Sequence, residues 1–443
     1  MIRKMKGTYD ITDDIGYFQQ IEKQIDRVSK LFNFKEIRTP HFEARELFHR
    51  SVGSETDIVS KETYDFEDRG GRINTLRPEG TAGIVRAYVE NKLYASREQP
   101  QKYYYYGSMF RYERPQKGRF REFRQFGAEA FGSNNPAIDA EMIAYAVTLL
   151  RALKIKDVTV HLNSLGDQTS KRQYEAALKD HFKPHLDDLC QDCKTRYSDN
   201  PLRILDCKVD AAHESMKTAP RTLDYLTDEA GKHFDSVKEI LTSMDIDAVV
   251  DHNLVRGLDY YTHTVFELKV SPDLLGNQNA ICGGGRYNQL VESLDGPPTP
   301  AVGFAFGIER LVVALKANET NMPAPYLHLY MLIMGDVRKE ASKLMQRLRM
   351  GGLMVDGDYM DKSMKAQFKQ SAIQGARFVG IMGEDEVKAG KLTIKDQQTN
   401  EESHVPFNDA YMTLFDTLTK KNRDCNDCKE GDQSRNIHII TIV

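Results

Sequence analysis

No stretch of this sequence approaches the roughly 18 consecutive apolar residues of a membrane-spanning helix, which excludes a helical membrane protein. The opening residues, Met1-Ile2-Arg3-Lys4-Met5-Lys6, carry charge without an apolar core and make no secretory signal. A patterned helix follows so soon that a transit peptide has little room, so the expected location is the cytoplasm. Cysteine is scarce: six among 443 residues build no disulfide framework. Cys190-x-x-Cys193 with Cys207, and Cys425-x-x-Cys428, have spacings compatible with zinc. Each group lacks a clear fourth ligand nearby, so reduced thiols and no metal are expected. Charge of one sign is not in excess either. The net charge of −4, with screening that confines surface effects to about 8–10 Å, leaves any nucleic-acid contact to local basic patches. Internal repeats are missing, as are the glycine-rich motifs of dinucleotide and P-loop sites. A nucleotide would need another kind of cradle.

What is present is ordinary globular composition, 40% apolar and 28% charged, in a chain long enough for about three domains of roughly 150 residues. Ile15, Phe18, Ile21, Ile25, Val28 and Leu31 recur at steps of three and four, which predicts an amphipathic helix. A strand-like run over 34–39 follows, closed by Pro40. Asn135 caps a second predicted helix with Pro136 in its first turn and the acids Asp139 and Glu141 placed to meet the helix dipole. Val158, Val160 and Leu162 alternate as a strand should. From about 170 to 245 the texture is charged and helix-forming, which predicts a helical insertion, and strand-rich sequence resumes from Ala248 to about Gln289. Residues 318–325 read as a linker by composition. Beyond it, apolar runs at 327–334, 353–355 and 378–382 alternate with helical patterns at 337–350 and 363–374. That is the pattern of a small α/β domain with a largely parallel sheet. The expected division is a domain over 1–320 interrupted by the insertion, a second over 326–423, and a tail over 424–443.

Chemistry concentrates between Phe110 and Glu129. Tyr103 to Tyr106 are strand formers and Pro115 to Gly118 supply turn chemistry, so a hairpin is predicted. Side chains two apart on a strand share a face, which pairs Arg111 with Glu113 and aligns Gln125, Gly127 and Glu129. A glycine between two polar residues leaves a hollow with hydrogen-bonding walls. An arbitrary hairpin of this kind is more often a solvated basic surface. Here the alternate residues Phe126, Ala128 and Ala130 are apolar, which favours a site without identifying it.

Phe110-Arg111-Tyr112-Glu113 with its basic loop resembles the second motif of the class II aminoacyl-tRNA synthetases. Gly303-Phe304-Ala305-Phe306-Gly307-Ile308-Glu309-Arg310-Leu311 resembles the third, and Pro40 after a long helix fits the first, which builds the dimer interface in that class. The histidyl branch is resembled by Thr75-Leu76-Arg77-Pro78-Glu79-Gly80-Thr81, by Leu254-Val255-Arg256-Gly257-Leu258-Asp259-Tyr260-Tyr261-Thr262 and by Gly283-Gly284-Gly285-Arg286-Tyr287. The C-terminal run Lys362-Ser363-Met364-Lys365-Ala366-Gln367-Phe368-Lys369 is similar to that branch too. The resemblance spans about residues 6 to 420. Ser108 and Asn288 depart from the usual proline and aspartate, and neither stands at a substrate ligand.

The resemblance implies an α+β catalytic domain on an antiparallel sheet with a helical insertion, a C-terminal α/β anticodon-binding domain, and a homodimer. It implies a ligase that uses ATP and Mg2+ to turn histidine into its adenylate, releasing pyrophosphate, and passes histidine to the 3′ end of tRNA(His). In that frame Arg111 grips the α-phosphate, Glu113 addresses the adenine end and Arg310 the terminal phosphates. Arg256, with Arg111, faces the charge that develops in the reaction. Tyr260 and Tyr261 are expected on opposite sides of an extended segment. Glu129 and the tyrosine hydroxyls, Tyr287 included, read the imidazole. Glu79, Gly80, Thr81 and Gln125 surround the substrate's amino end, and Gly283 to Gly285 let backbone approach the ligand. Arg114, Gln116, Lys117 and Arg119 fit the acceptor end of the tRNA. Arg338, Lys339, Lys343, Arg347 and Arg349 on one helix, and Lys362, Lys365 and Lys369 on another, fit further RNA contacts.

Plainer meanings stand beside these: surface arginines in salt bridges, a tight turn of glycines, solvated lysine faces. A rival from another class is a non-catalytic relative, either a regulatory subunit of ATP phosphoribosyltransferase or a module that senses uncharged tRNA. Regulatory relatives typically lack the C-terminal domain and the intact Arg-Gly-Leu-Asp-Tyr-Tyr run. Both are present in this chain.

Overall fold

The computed structural model describes residues 1–53, 56, 58–116, 118–207, 209–256, 260–275, 279–318 and 327–424. Nearly all of the expected linker and tail lie outside them, as do Cys425, Cys428, Lys117 and the run Gly257 to Asp259. Two compact units divide the chain, Met1–Asn321 and Met322–Val443. Among the described residues no helix is long and apolar enough to cross a membrane.

In the first unit the strands are β1 (Lys35–Glu36), β2 (Phe42–Ala44), β3 (Tyr64–Glu67), β4 (Ile73–Leu76), β5 (Gln101–Phe110), β6 (Glu122–Phe131), β7 (Thr159–Ser164), β8 (Ala248–Val250), β9 (Thr262–Lys269), β10 (Ala280–Arg286) and β11 (Ala301–Gly307). Eight form one sheet in the order β1-β5-β6-β11-β10-β9-β7-β8, antiparallel except at its two edges, where β1 joins β5 and β8 joins β7 in parallel. The short strands β2, β4 and β3 make a separate antiparallel sheet.

The predicted hairpin is β5 and β6, and its alternation decides which face is wet. Phe126, Ala128 and Ala130 are buried with Phe304 and Phe306 of β11. The helix Ile15–Leu31 lays Phe18, Ile21, Ile25 and Val28 into the same core, packed against the helix Pro136–Ala152. Each such side chain is worth about 1.5–3 kcal/mol on burial. Gln125, Gly127 and Glu129 are left to the other face.

The strand predicted over 34–39 is paired only at Lys35–Glu36. Ile37 still donates its N–H to the Tyr104 carbonyl at 2.8 Å. Beyond it the Arg77 guanidinium takes over, donating to the carbonyls of Thr39 (2.9 Å) and Pro40 (3.4 Å), so the chain leaves the sheet. The Asn135 cap forms as expected, its side chain accepting the Ala137 N–H at 2.9 Å. The acids of that first turn do not serve the dipole at the surface. Asp139 is fully buried against Arg286, and Glu141 pairs with Lys102 at 2.5 Å.

Between 168 and 243 the regular elements are helices and 3-10 turns, with no strand among the described residues there. Asp167 and Thr227 cap the helices Gln168–Phe182 and Asp228–Ser243 with their side-chain oxygens.

In the second unit β12 (Leu329–Ile333) lies between β13 (Val355–Gly357) and β14 (Phe378–Met382), both parallel to it. β15 (Lys391–Asp396) and β16 (Glu402–Pro406) continue the sheet antiparallel. The expectation of a largely parallel sheet thus holds for half the pairings. Residues 383–390 are too few for the dozen or so that a parallel crossover needs, so the chain turns back beside β14. The helix Arg338–Met350 buries Ala341, Leu344, Met345 and Leu348 on this sheet.

Candidate active site

Residues directly opposite in antiparallel strands share a face. One such row runs Tyr105, Gly127, Ala305, Gly283, Glu267 across β5, β6, β11, β10 and β9. The next runs Tyr103, Glu129, Gly303, Gly285, Val265. Small residues in the middle of both rows keep the floor low, and a cavity of about 630 Å³ stands over it. Glu79, Thr81, Tyr105, Arg111, Glu113, Arg119, Gln125, Glu129, Arg256, Tyr260, Tyr261, Tyr287 and Arg310 all line that cavity.

The hollow expected over Gly127 is filled by a side chain of the protein. A β-carbon at Gly127 would stand 2.4 Å from the Tyr105 ring, and one at Gly80 would stand 2.2 Å from it. The Tyr105 hydroxyl donates to Gln125 Oε1 at 3.0 Å, and the same oxygen accepts the Gly80 N–H at 3.1 Å. Tyr105 therefore belongs to the site although the motifs do not mark it. The signal was the hairpin register, which sets a tyrosine opposite the glycine.

At one end of the cavity Glu129 is buried. Thr81 Oγ1 donates to its Oε1 at 2.8 Å, and the Tyr287 hydroxyl donates to Oε2. Burial raises its pKa to about 8, even though those two hydrogen bonds pull the other way. A β-carbon at Gly303 would collide with this carboxylate, so glycine is required beneath it. Glu79 is also buried and raised by burial, but both its oxygens are engaged by the first N–H groups of the helix Thr81–Glu90. Oε2 accepts from Thr81 at 2.6 Å and Oε1 from Ala82 at 2.8 Å. It caps that helix and faces the cavity at once.

The Tyr260 and Tyr261 rings lie 4.7 Å apart and Tyr287 packs 5.5 Å from Tyr260. Both rings line the cavity, not opposite sides of a strand, because β9 begins only at Thr262 and the two-residue alternation does not yet hold.

Cations gather at the other end. Arg256 Nη1 donates to Glu267 Oε1 at 2.6 Å, and its guanidinium lies 5.7 Å from the Tyr261 ring centroid. A β-carbon at Gly283 would stand 2.3 Å from that guanidinium. The triple glycine was expected to admit a ligand. Gly283 lines the cavity and also seats Arg256, whereas Gly284 faces the Gly303 carbonyl, 2.3 Å from where its β-carbon would be. Arg111 donates from Nε to the Pro78 carbonyl at 2.8 Å and lies 3.8 Å from Glu113, so that expected pair forms, just beyond the end of β5. Arg119 reaches the same Glu113 at 3.4 Å. Arg310 Nε donates to the Ala280 carbonyl at 3.1 Å, and burial together with Arg119 holds its pKa below the usual range. Like charges converge in this way where an anion is to be held.

Around the cavity, motif residues act as struts. Arg286 is fully buried, pairs with Asp139 and donates to Asn288 Oδ1 at 3.3 Å. The asparagine at 288 thus props an arginine. Glu309 accepts the Arg124 N–H with both oxygens at 3.0 Å. Arg114 and Gln116 are exposed, Gln116 pairs with Arg119 as an isolated bridge, and Arg119 lines the cavity. In the second unit Arg338, Arg347 and Arg349 bond within their own unit, and Lys339, Lys343, Lys365 and Lys369 are exposed. Away from the cavity, Asp210 sets a carboxylate beside Cys190, Cys193 and Cys207, a neighbour that spacing alone did not reveal.

Comparison with known proteins places the chain in a family. The family described as histidyl-tRNA synthetase matches residues 13–311, and the anticodon binding domain family matches residues 312–415. Histidine–tRNA ligase 2 of Bacillus anthracis is 50% identical over 403 residues, 90% of this chain and 95% of the relative. Histidine–tRNA ligase of Geobacillus sp. (strain WCH70) is 49% identical over 94% of this chain and 99% of its own. The crystal structure of apo histidyl-tRNA synthetase from S. aureus superimposes with a TM-score of 0.80 at 38% identity, covering 94% of this chain and all of that one. With a carboxyl end and a cation end joined over one antiparallel sheet, and with matches of this extent, the chain belongs to the histidyl-tRNA synthetase family.

Proposed function

We propose that the cavity over the eight-stranded sheet takes histidine at its Glu129 end and ATP at its arginine end. The chain is a histidine–tRNA ligase, with histidine, ATP and tRNA(His) as substrates. The observation that carries the site reading is the meeting of both chemistries in one cavity of about 630 Å³.

In this reading Glu129, fixed by Thr81 and Tyr287, hydrogen-bonds the imidazole, and Tyr260 and Tyr261 wall the ring. Glu79, Gly80 and Gln125 set the substrate's amino end. A site built of such groups rejects lookalikes that lack them by about 10⁴-fold or more. The histidine carboxylate attacks the α-phosphate, a P–O bond forms, and the bond to pyrophosphate breaks. Arg256 and Arg111 neutralise the charge that gathers on the phosphoryl oxygens. Glu113 addresses the adenine, and Arg310 holds the terminal phosphates with Arg119 beside it. The terminal ribose hydroxyl of the tRNA then attacks the acyl carbon and AMP leaves.

Every described carboxylate in the cavity wall already faces an N–H, hydroxyl or cation. Magnesium would enter with ATP, bound chiefly through phosphate oxygens and water as this ion prefers, and would supply positive charge at the phosphates beside Arg310 and Arg119.

Arg114, Gln116 and Lys117 contact the acceptor end, and the exposed lysines of the second unit contact the anticodon end. The division into a catalytic domain over 1–320 with its insertion at 170–245, an anticodon-binding domain over 326–423 and a tail belongs to this reading, as does a cytoplasmic setting. A homodimer is supported by the small three-stranded sheet, which leaves Phe42, Phe66 and Ile73 exposed.

ATP–pyrophosphate exchange with each of the twenty amino acids tests the site. Exchange dependent on histidine alone is expected, and exchange with another amino acid at a comparable rate would overturn it. Sedimentation tests the dimer, which a monomer at micromolar concentration would refute.

A further inference from the structure

Three thiols and a carboxylate converge in the helical segment, away from the cavity. Cys190 immediately precedes the helix Gln191–Asp199, Cys193 stands in its first turn, and Cys207 follows the 3-10 turn Pro201–Asp206 with Asp210 three residues later. Their ligand atoms all lie within 4.8 Å of one another. Cys193 and Cys207 are buried, in an apolar cluster with Leu189, Leu202 and Ile204.

The spacings have a specific meaning. A tetrahedral zinc ion with Zn–S bonds of about 2.3 Å and Zn–O bonds of about 2.0 Å sets sulfurs about 3.8 Å apart and sulfur about 3.5 Å from oxygen. Cys190 Sγ lies 3.7 Å from Cys207 Sγ, and Cys207 Sγ lies 3.6 Å from Asp210 Oδ2. Backbone N–H groups point at the same atoms: Asp210 donates to Cys207 Sγ at 3.4 Å and Cys190 donates to Asp210 Oδ2 at 3.0 Å. Such donors orient ligands and stabilise thiolates around a metal. A disulfide between Cys190 and Cys207 would leave Cys193 and Asp210 converging on nothing.

We propose that Cys190, Cys193, Cys207 and Asp210 bind a structural zinc ion. The four ligands close the tetrahedron and leave no position for substrate, so the ion staples the segment and does no chemistry. Each thiol gives up its proton as its sulfur bonds the metal, and the carboxylate binds as the anion. The cluster that carries the site also contains Leu254, Tyr261 and Val265, so the staple lies in the packing that backs the Tyr261 wall of the cavity.

Elemental analysis of the full chain, purified under reducing conditions and then titrated with zinc, is the test. About one zinc per chain is expected, and cobalt(II) in its place should give a thiolate-to-cobalt charge-transfer band. No uptake at micromolar zinc, or, in protein purified without reductant, two thiols that appear only after reduction, would overturn the proposal, the second in favour of a disulfide. Asp210→Asn should release zinc to a chelator faster by roughly tenfold or more. An unchanged release rate would refute the carboxylate as the fourth ligand. If that variant fails to fold, the wild-type stoichiometry and the cobalt spectrum still decide.

Discussion

Arg256 holds Glu267 at 2.6 Å across β9 and β10, directly above the α-carbon of Gly283. Glu267 in turn lies 3.8 Å from Lys269, so the Arg256 guanidinium is held in place with no substrate bound. Preorganised charge of this kind acts mostly on the transition state.

Arg256→Ala should lower the single-turnover rate of adenylate formation by about 10²–10³-fold, with the KM for ATP moving far less. Lysine should rescue only part of this, since a point charge cannot span two oxygens. A near wild-type rate would return Arg256 to a structural pairing with Glu267.

Gly283→Ala should reproduce that defect in milder form. The new methyl meets the guanidinium at 2.3–2.5 Å, and a flexible side chain yields more readily than backbone. Adenylation should fall while the urea midpoint barely moves; a large stability loss with normal specific activity would contradict the seat assigned to this glycine.

Glu129 links pH to stability. Its pKa of about 8 lies above its ordinary 4.5, so the folded protein binds the extra proton between those values. The stability this gives is complete below 4.5 and is lost as pH rises through 8. Glu129→Gln should remove that loss without ligand present, the variant gaining on wild type by up to about 1.4 kcal/mol per pH unit across the window. Histidine-dependent exchange should collapse in the same variant. Parallel stability curves for the two proteins would show that Glu129 is ionised throughout.

Asp139→Asn breaks a buried ion pair and leaves Arg286 uncompensated. Denaturant unfolding should show a loss of about 3–5 kcal/mol. A loss under about 1 kcal/mol would mean that the Ser133 carbonyl and Asn288, which also accept from Arg286, suffice to hold it.

A chain ended at Asn321 should keep most histidine-dependent pyrophosphate exchange and lose most tRNA charging, because the first unit has its own core and the whole cavity. Equal loss of both activities would assign the second unit to folding of the first.

Periodicity made the wet and dry faces of β6 legible, because Phe126, Ala128 and Ala130 alternate with Gln125, Gly127 and Glu129 and a strand obeys a period of two. The helix Ile15–Leu31 was legible for the same reason at its own period. Which acid meets which arginine was not. Asp139 and Arg286 are far apart in sequence, and only the packed sheet brings them together. Tyr105 over Gly127, the inward turn of Arg119 and the approach of Asp210 to the cysteines depend likewise on register and side-chain reach, which no local spacing encodes. Substrate roles came from resemblance; the supports beneath them came from the structure.

The Tyr105 ring, clasped between Gly80 and Gly127, makes the order of mutational steps matter. Alanine at either glycine collides with the ring while the ring is present, and removing the ring first opens a void beside Gln125 that neither glycine fills. Each of these single changes therefore costs packing, whereas smaller aromatic volume combined with added methyls can restore it. A library that varies positions 80, 105 and 127 together can cross ground that one-at-a-time substitution cannot.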